Sequence, residues 1–262
     1  MRVIQPPIVV ASRYRRRPGG GVWVVFNGDE QPSVVVMSDA LRREYSGEGL
    51  TESDLAETPW EQARRWVDDA VYRSVERDDV PEPLAMSVAT VDADGRPDVR
   101  AVLMRFFDPA GPGFVTNLES TKGVQIAGNP GIAAALVWPG MYRGIRFRGT
   151  AHQLGRDEVD RYFRERPWGS RISAWASRQS QVIEGRAGLE EAFQRYAARW
   201  PDKGSPTDVP VPDVWGGYRI TCDEVEFWAG RSNRLHDRLV FVRIGAGSLD
   251  EAKAWRLERR QP

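Results

Sequence analysis

Cysteine is nearly absent from this chain: Cys222 is the only one in 262 residues. That excludes an internal disulfide, and with only two histidines no Cys/His set has the spacing of a metal site. Cys222 reads as a packed strand residue and not as a nucleophile. Net charge is lacking too, since 37 Lys and Arg balance 37 Asp and Glu, so no nucleic-acid or membrane partner held by bulk charge is expected. No run approaches the roughly 18 apolar residues of a membrane helix. The apolar stretch Ile8-Val9-Val10-Ala11 is too short for a secretory signal and runs straight into Arg13, Arg15, Arg16 and Arg17. A cytoplasmic protein is the expectation. There is no Gly-x-Gly-x-x-Gly turn and no Walker loop, so a dinucleotide fold of the common type is excluded.

What is present divides the chain in two. Residues 1–36 hold Pro6-Pro7, the arginine run and Gly19-Gly20-Gly21, with little periodicity, which favours a loose extension over a packed element. Met37-Ser38-Asp39-Ala40-Leu41 then reads like an ordinary protein start with Ser38 or Asp39 as helix cap, so translation beginning at Met37 is a second reading. Residues 37–262 are expected to form one domain.

Within that domain, Thr58-Pro59-Trp60-Glu61 opens a helix with a threonine cap and proline at the first helical position. Trp60, Ala63, Trp66, Val67, Ala70 and Val71 recur at helical spacing to about Glu76, and the tryptophans read as core. The period then changes. Strands are expected over 86–91 and 99–107 around an Asp-Gly turn, then over 113–116, 132–138 and 143–154, with a short helix over 120–127. Helices over 156–166, 170–177 and 189–198 follow, and strands over 218–228, 238–244 and 254–259 close the chain. About seven antiparallel strands with helices outside make this an α+β domain on a small barrel.

The residues richest in chemistry stand near the C-terminus. Val225-Glu226-Phe227-Trp228-Ala229-Gly230 is followed by Arg234-Leu235-His236-Asp237-Arg238. Arginine offers a permanently charged planar fork for phosphate or carboxylate, and histidine titrates near neutrality. The pair reads as a site for an anionic substrate that exchanges a proton, the alternative being a solvated turn with a surface ion pair.

This segment resembles the C-terminal signature of pyridoxamine 5'-phosphate oxidases, and further matches stand in that family's order from about Leu41 to Leu257. They are Arg100-Ala101-Val102-Leu103-Met104-Arg105, Thr116-Asn117-Leu118-Glu119-Ser120-Thr121-Lys122, Trp175-Ala176-Ser177-Arg178-Gln179-Ser180 and Trp215-Gly216-Gly217-Tyr218-Arg219. The resemblance implies an antiparallel FMN-binding split β-barrel with flanking helices, in a homodimer with the flavin between subunits. It implies cofactor contacts at Arg100, Ala101, Val102, Leu103, Met104, Arg105, Val115, Thr116, Thr121, Lys122, Gln179, Ser180, Trp228 and Arg238. Tyr162, Arg166 and Ser170, with Arg105, would clamp a substrate phosphate, and Arg234 and His236 would position the substrate and handle its proton. The implied reaction oxidises pyridoxamine or pyridoxine 5'-phosphate to pyridoxal 5'-phosphate with dioxygen, giving hydrogen peroxide.

Three positions depart from the family's pattern. Arg105 replaces a lysine, Thr121 an arginine beside the flavin phosphate, and Gly144 a glutamine that would contact the flavin. Arg146 and Arg148, on one face of a strand, could supply the missing charge. Other readings are a split-barrel flavin oxidase acting on another substrate, such as a phenazine precursor, a flavin or pyridoxal-phosphate binding protein without turnover, or a deazaflavin protein.

Overall fold

The computed structural model describes residues 44–262 and, ahead of them, only the backbone of three short strands. These are β1 (Tyr14–Arg16), β2 (Trp23–Phe26) and β3 (Pro32–Ser33), paired antiparallel in that order. The chain divides into Met1–Tyr45 and Ser46–Pro262, and the second unit holds all that follows. The helix cap expected at Ser38 or Asp39, the start at Met37 and most of the extension over 1–36 lie outside the described residues.

Helix α1 (Pro59–Glu76) begins where its cap demands: the Thr58 hydroxyl accepts the Glu61 N–H at 3.2 Å, and Pro59 occupies the first turn, where no donor is needed. Its apolar stripe buries Ala63, Trp66, Val67 and Ala70, and Trp66 meets Phe227 edge-on at 5.4 Å. Burying a side chain of the size of Val67 or larger contributes roughly 1.5–3 kcal/mol.

The sheet has nine strands: β4 (Ala85–Val91), β5 (Pro97–Leu103), β6 (Phe106–Asp108), β7 (Gly111–Asn117), β8 (Gly131–Trp138), β9 (Arg143–Gln153), β10 (Trp215–Ala229), β11 (Asp237–Arg243) and β12 (Trp255–Arg260). Every pairing is antiparallel. The long strand β10 organises the sheet. It pairs with β9 over most of its length, with β7 near its start and with β11 near its end. Phe114, Phe147, Ile220 and Phe227 fill the core, with α1 packed outside the curled sheet. Cys222 is buried in β10, and burial pushes its thiol up to about 12, so it is a neutral packing group.

One strand expected over 99–107 is two. The chain changes partner at Met104 and Arg105, whose N–H groups donate to Leu84 and Gly113 carbonyls, and it passes from β4 to β7. Alternation of side chains carries no record of such a switch.

Helix α2 (Thr121–Gly128) follows β7, capped by Ser120, and Gly123 packs so tightly on the Leu118 carbonyl that a Cβ would collide. Helices α3 (Arg156–Glu165), α4 (Trp168–Ala176) and α5 (Arg186–Arg199) form a second cluster around Phe163, Ile172 and Val209. Pro167 separates α3 from α4, as its missing donor and ring require. Arg219 of β10 ties α3 to the sheet through Glu158 at 2.6 Å.

Candidate active site

The expected cofactor and substrate residues fall into two groups at opposite ends of β10. The first lines a cavity of about 830 Å³, within the range of small-molecule sites. Its wall includes Arg100, Ala101, Val102, Leu103, Arg105, Val115, Thr116, Thr121, Lys122, Tyr162, Arg166, Ser170, Gln179 and Ser180. The strand β5, the end of β7, the first turn of α2, the α3–α4 junction and the loop after α4 thus converge. Met104 does not line the cavity; it is turned into the core and 3% exposed.

Lys122 is buried, and its Nζ donates to Thr116 Oγ1 at 3.1 Å, Ser120 Oγ at 3.2 Å and Gln179 Oε1 at 3.0 Å. All three acceptors are neutral. Burial, then the nearby charge of Arg100, lowers the Lys122 pKa, while Asp98 opposes them. Arg100 is held by Asp98 at 2.6 Å and Thr90 at 2.6 Å. Arg166, on the same cavity's wall, is half-buried with its Nη1 lacking any acceptor. Its pKa is lowered by burial and by Arg105, with Tyr162 acting the other way. A buried ammonium with neutral partners and a half-buried guanidinium with an orphan donor are costly alone. An anion beside each relieves both costs, so the donor set fits two anionic groups.

The α3–α4 junction sets the group around Arg166. Tyr162 and Arg166 leave the last turn of α3, and Ser170 comes from the first turn of α4, beyond Pro167. Ser180, in the loop that carries Gln179, has φ of 73°, a left-handed conformation that non-glycine residues adopt at a cost and that clusters at functional sites.

The second group is at the far end of β10. Trp228 and Trp215 are thirteen positions apart on that strand, about 40 Å of contour at roughly 3.3 Å per residue. Trp228 stands between Gly144 and Arg238 in the sheet, and its ring is 4.8 Å from that of His236. His236 Nδ1 accepts the Arg231 N–H at 3.1 Å, which leaves Nε2 as the ring's donor. Asn233 and Arg234 have φ of 57° and 62°. Asp237 is buried, accepting from Leu50 N at 2.9 Å and Arg259 at 2.6 Å, and so anchors the loop. Arg238 is gripped by Glu226 at 2.7 and 3.0 Å. Burial pushes the Glu226 carboxyl up, but hydrogen bonds and charge from Arg238 and Arg146 outweigh it and hold it below its ordinary value.

Arg146 and Arg148 do not provide free charge in place of Thr121 or Gly144. Arg146 is bound to Glu226 at 2.6 Å and Glu224 at 3.4 Å, and Arg148 lies 3.8 Å from Glu224. Thr121 itself lies on the cavity wall at the start of α2.

Trp215 and Glu226 were not among the site residues expected from sequence. Trp215 lines the cavity beneath Arg166, and its position in the Trp-Gly-Gly segment was the available signal. Glu226 carried none, because a lone glutamate in an apolar strand does not announce its arginine partners.

Residues 75–199 match the pyridoxamine 5'-phosphate oxidase family, and residues 215–262 match the pyridoxine 5'-phosphate oxidase C-terminal dimerisation region. The pyridoxine/pyridoxamine 5'-phosphate oxidase of Kineococcus radiotolerans is 46% identical over 222 residues, covering 84% of this chain and 97% of that one. That of Streptomyces avermitilis is 45% identical over 223 residues, 85% and 95% of the two chains.

The chain belongs to the pyridoxine/pyridoxamine 5'-phosphate oxidase family.

Two solved structures agree with this family's fold. PhzG from Burkholderia lata 383, in complex with tetrahydrophenazine-1-carboxylic acid, is similar with a TM-score of 0.71 and 28% identity, over 83% of this chain and 100% of that one. A pyridoxamine 5'-phosphate oxidase-related, FMN binding protein from Nostoc punctiforme shares the fold with a TM-score of 0.58 and 17% identity, over 79% and 100%. The curled sheet is therefore a split barrel of the oxidase family.

Proposed function

We propose that this chain is an FMN-dependent oxidase that converts pyridoxamine or pyridoxine 5'-phosphate to pyridoxal 5'-phosphate with dioxygen, and that it acts as a homodimer. The observation that carries this reading is one cavity lined by two cationic groups, Lys122 with Arg100 and Arg166 with Arg105. Two phosphates, one from the flavin and one from the substrate, match that pair.

Lys122, Arg100, Thr116 and the loop bearing Gln179 and Ser180 would hold the flavin phosphate and ribityl chain by charge-assisted hydrogen bonds. Backbone donors and the dipole at the start of α2 favour the same anion. Arg105, Arg166, Tyr162 and Ser170 would clamp the substrate phosphate. When bound, the flavin supplies the hydride acceptor for the substrate C4' carbon and a route for the electrons to dioxygen, which becomes hydrogen peroxide. Arg234 and His236 would orient the substrate, the histidine through the donor on Nε2, and Trp228 and Arg238 would pack along the flavin.

These last four residues sit at the far end of β10 from the cavity in the same chain, inside the match to the dimerisation region. A second copy supplies them, so each site would draw its anion clamps from one chain and its Arg234–Arg238 segment from the other.

The decisive experiment is the visible spectrum of the purified protein with added FMN, followed by oxygen uptake with pyridoxamine 5'-phosphate. A flavin spectrum, oxygen consumption and an aldehyde product support the assignment. Bound flavin without turnover refutes it and favours a second reading, oxidation of a carboxylated substrate, to which the similarity with PhzG points. Absence of flavin binding refutes both.

A further inference from the structure

Arg166 is seated on an aromatic face and not on a carboxylate. Its guanidinium carbon lies 4.4 Å from the centre of the Trp215 ring and 5.7 Å from that of Phe163. Trp215 is in turn fixed. Its ring meets Phe163 edge-on at 5.9 Å, its backbone N–H donates to the Pro212 carbonyl at 3.0 Å, and its strand is locked to α3 through Arg219 and Glu158. The indole Nε1 of Trp215 and Nη1 of Arg166 are both buried without an acceptor. Neighbouring Glu165 lines the same cavity without pairing with Arg166.

The chemistry of this seat differs from that of an ion pair. A carboxylate beside Arg166 would fix the side chain but cancel its charge. An indole face attracts the cation, restrains its plane and leaves its donor edge and full charge for a ligand. We propose that Trp215 is the positioning residue of the substrate clamp, which holds Arg166 uncompensated so that the cavity selects a phosphorylated substrate. The inference rests on the oxidase reading above for the identity of that substrate.

Trp215→Leu, Trp215→Phe, Arg166→Ala and the double variant Trp215→Leu/Arg166→Ala test it in the FMN-loaded dimer. The measurements are the Kd for pyridoxal 5'-phosphate, and KM and kcat for pyridoxamine 5'-phosphate, with the Kd for FMN as a check on the fold. Trp215→Leu is expected to raise the pyridoxal 5'-phosphate Kd and the KM about three- to tenfold, with a smaller change in kcat and an unaltered Kd for FMN. Trp215→Phe recovers most of that loss, and the double variant is no weaker than Arg166→Ala alone. Where leucine unfolds the protein, Trp215→Met, whose unbranched flexible side chain adapts better to the gap, takes its place.

An unchanged Kd in Trp215→Leu overturns the proposal. So does a double variant whose losses simply add. The wild-type protein tests the underlying reading separately: without oxidation or binding of the pyridine phosphates that reading fails. The seat is then judged on inorganic phosphate by calorimetry, where Trp215→Leu must weaken binding or the proposal falls with it.

Discussion

Lys122 and Gln179 meet at 3.0 Å, the ammonium donating to the side-chain carbonyl, and this contact joins the first turn of α2 to the loop after α4. It brings together two motifs separated by 57 residues. The lysine is buried, touches only neutral acceptors and has its pKa lowered by burial, so an anion is its natural partner. A charge-assisted hydrogen bond contributes roughly 1.5–3 kcal/mol, so Lys122→Met should weaken FMN binding about tenfold or more. Titration by flavin fluorescence quenching measures it. Because the lowered pKa brings neutralisation at lower pH than for a free lysine, the wild-type affinity should fall as pH rises toward that value, and the variant's should not. Equal affinities and equal pH profiles would remove Lys122 from the cofactor site.

Thr121 allows the opposite test. It occupies the first position of α2, on the cavity wall and exposed, where the resemblance to the oxidase family implies an arginine. Thr121→Arg adds a planar donor set beside the same phosphate and should tighten FMN binding about tenfold. An unchanged affinity would mean that the phosphate lies elsewhere.

Acid stability has a defined contributor at the other end of the sheet. Arg259 of β12 bridges Glu52 at 2.7 Å and Asp237 at 2.6 Å. Hydrogen bonding from Arg259 holds the Glu52 carboxyl at about 2, against an ordinary value of 4.5. A depressed carboxyl pKa gives stability that is fully present above the ordinary value and is lost as pH falls through the depressed one. The difference in Tm between wild type and Glu52→Gln should therefore stay constant from neutral pH to about 5 and close between about 4.5 and 2. A difference that persists unchanged at the acid end would show that the ion pair does not stabilise the fold.

Much of this architecture was legible in the sequence, because local rules decide it. Thr58 and Pro59 start α1, Pro167 divides α3 from α4, and every second residue turns inward in β4 (Met86, Val88, Thr90) and β8 (Ile132, Ala134, Leu136, Trp138). The switch of partner at Met104 was not legible, since a strand that leaves one neighbour for another keeps its alternation. In the site, the motif residues around the cavity could be named from their order along the chain. The seating of Arg166 on Trp215 and the sharing of Glu226 between Arg146 and Arg238 could not, because they depend on register across β9, β10 and β11. Register is a long-range property, and single-strand patterns specify it only as inward or outward.

The most direct test of a site built from two chains is complementation in mixed dimers. Arg166→Ala removes a clamp at the cavity end, and Arg234→Ala removes a residue at the far end of β10; each homodimer should lose about 100-fold or more in kcat/KM through misplacement of the substrate. Coexpressed with different tags and purified as the mixed dimer, the two variants should regain about half the wild-type rate of pyridoxal 5'-phosphate formation, because one of the two sites then receives both intact halves. Mixed dimers as inactive as either parent would place the Arg166 and Arg234 functions within one chain and contradict the composite site.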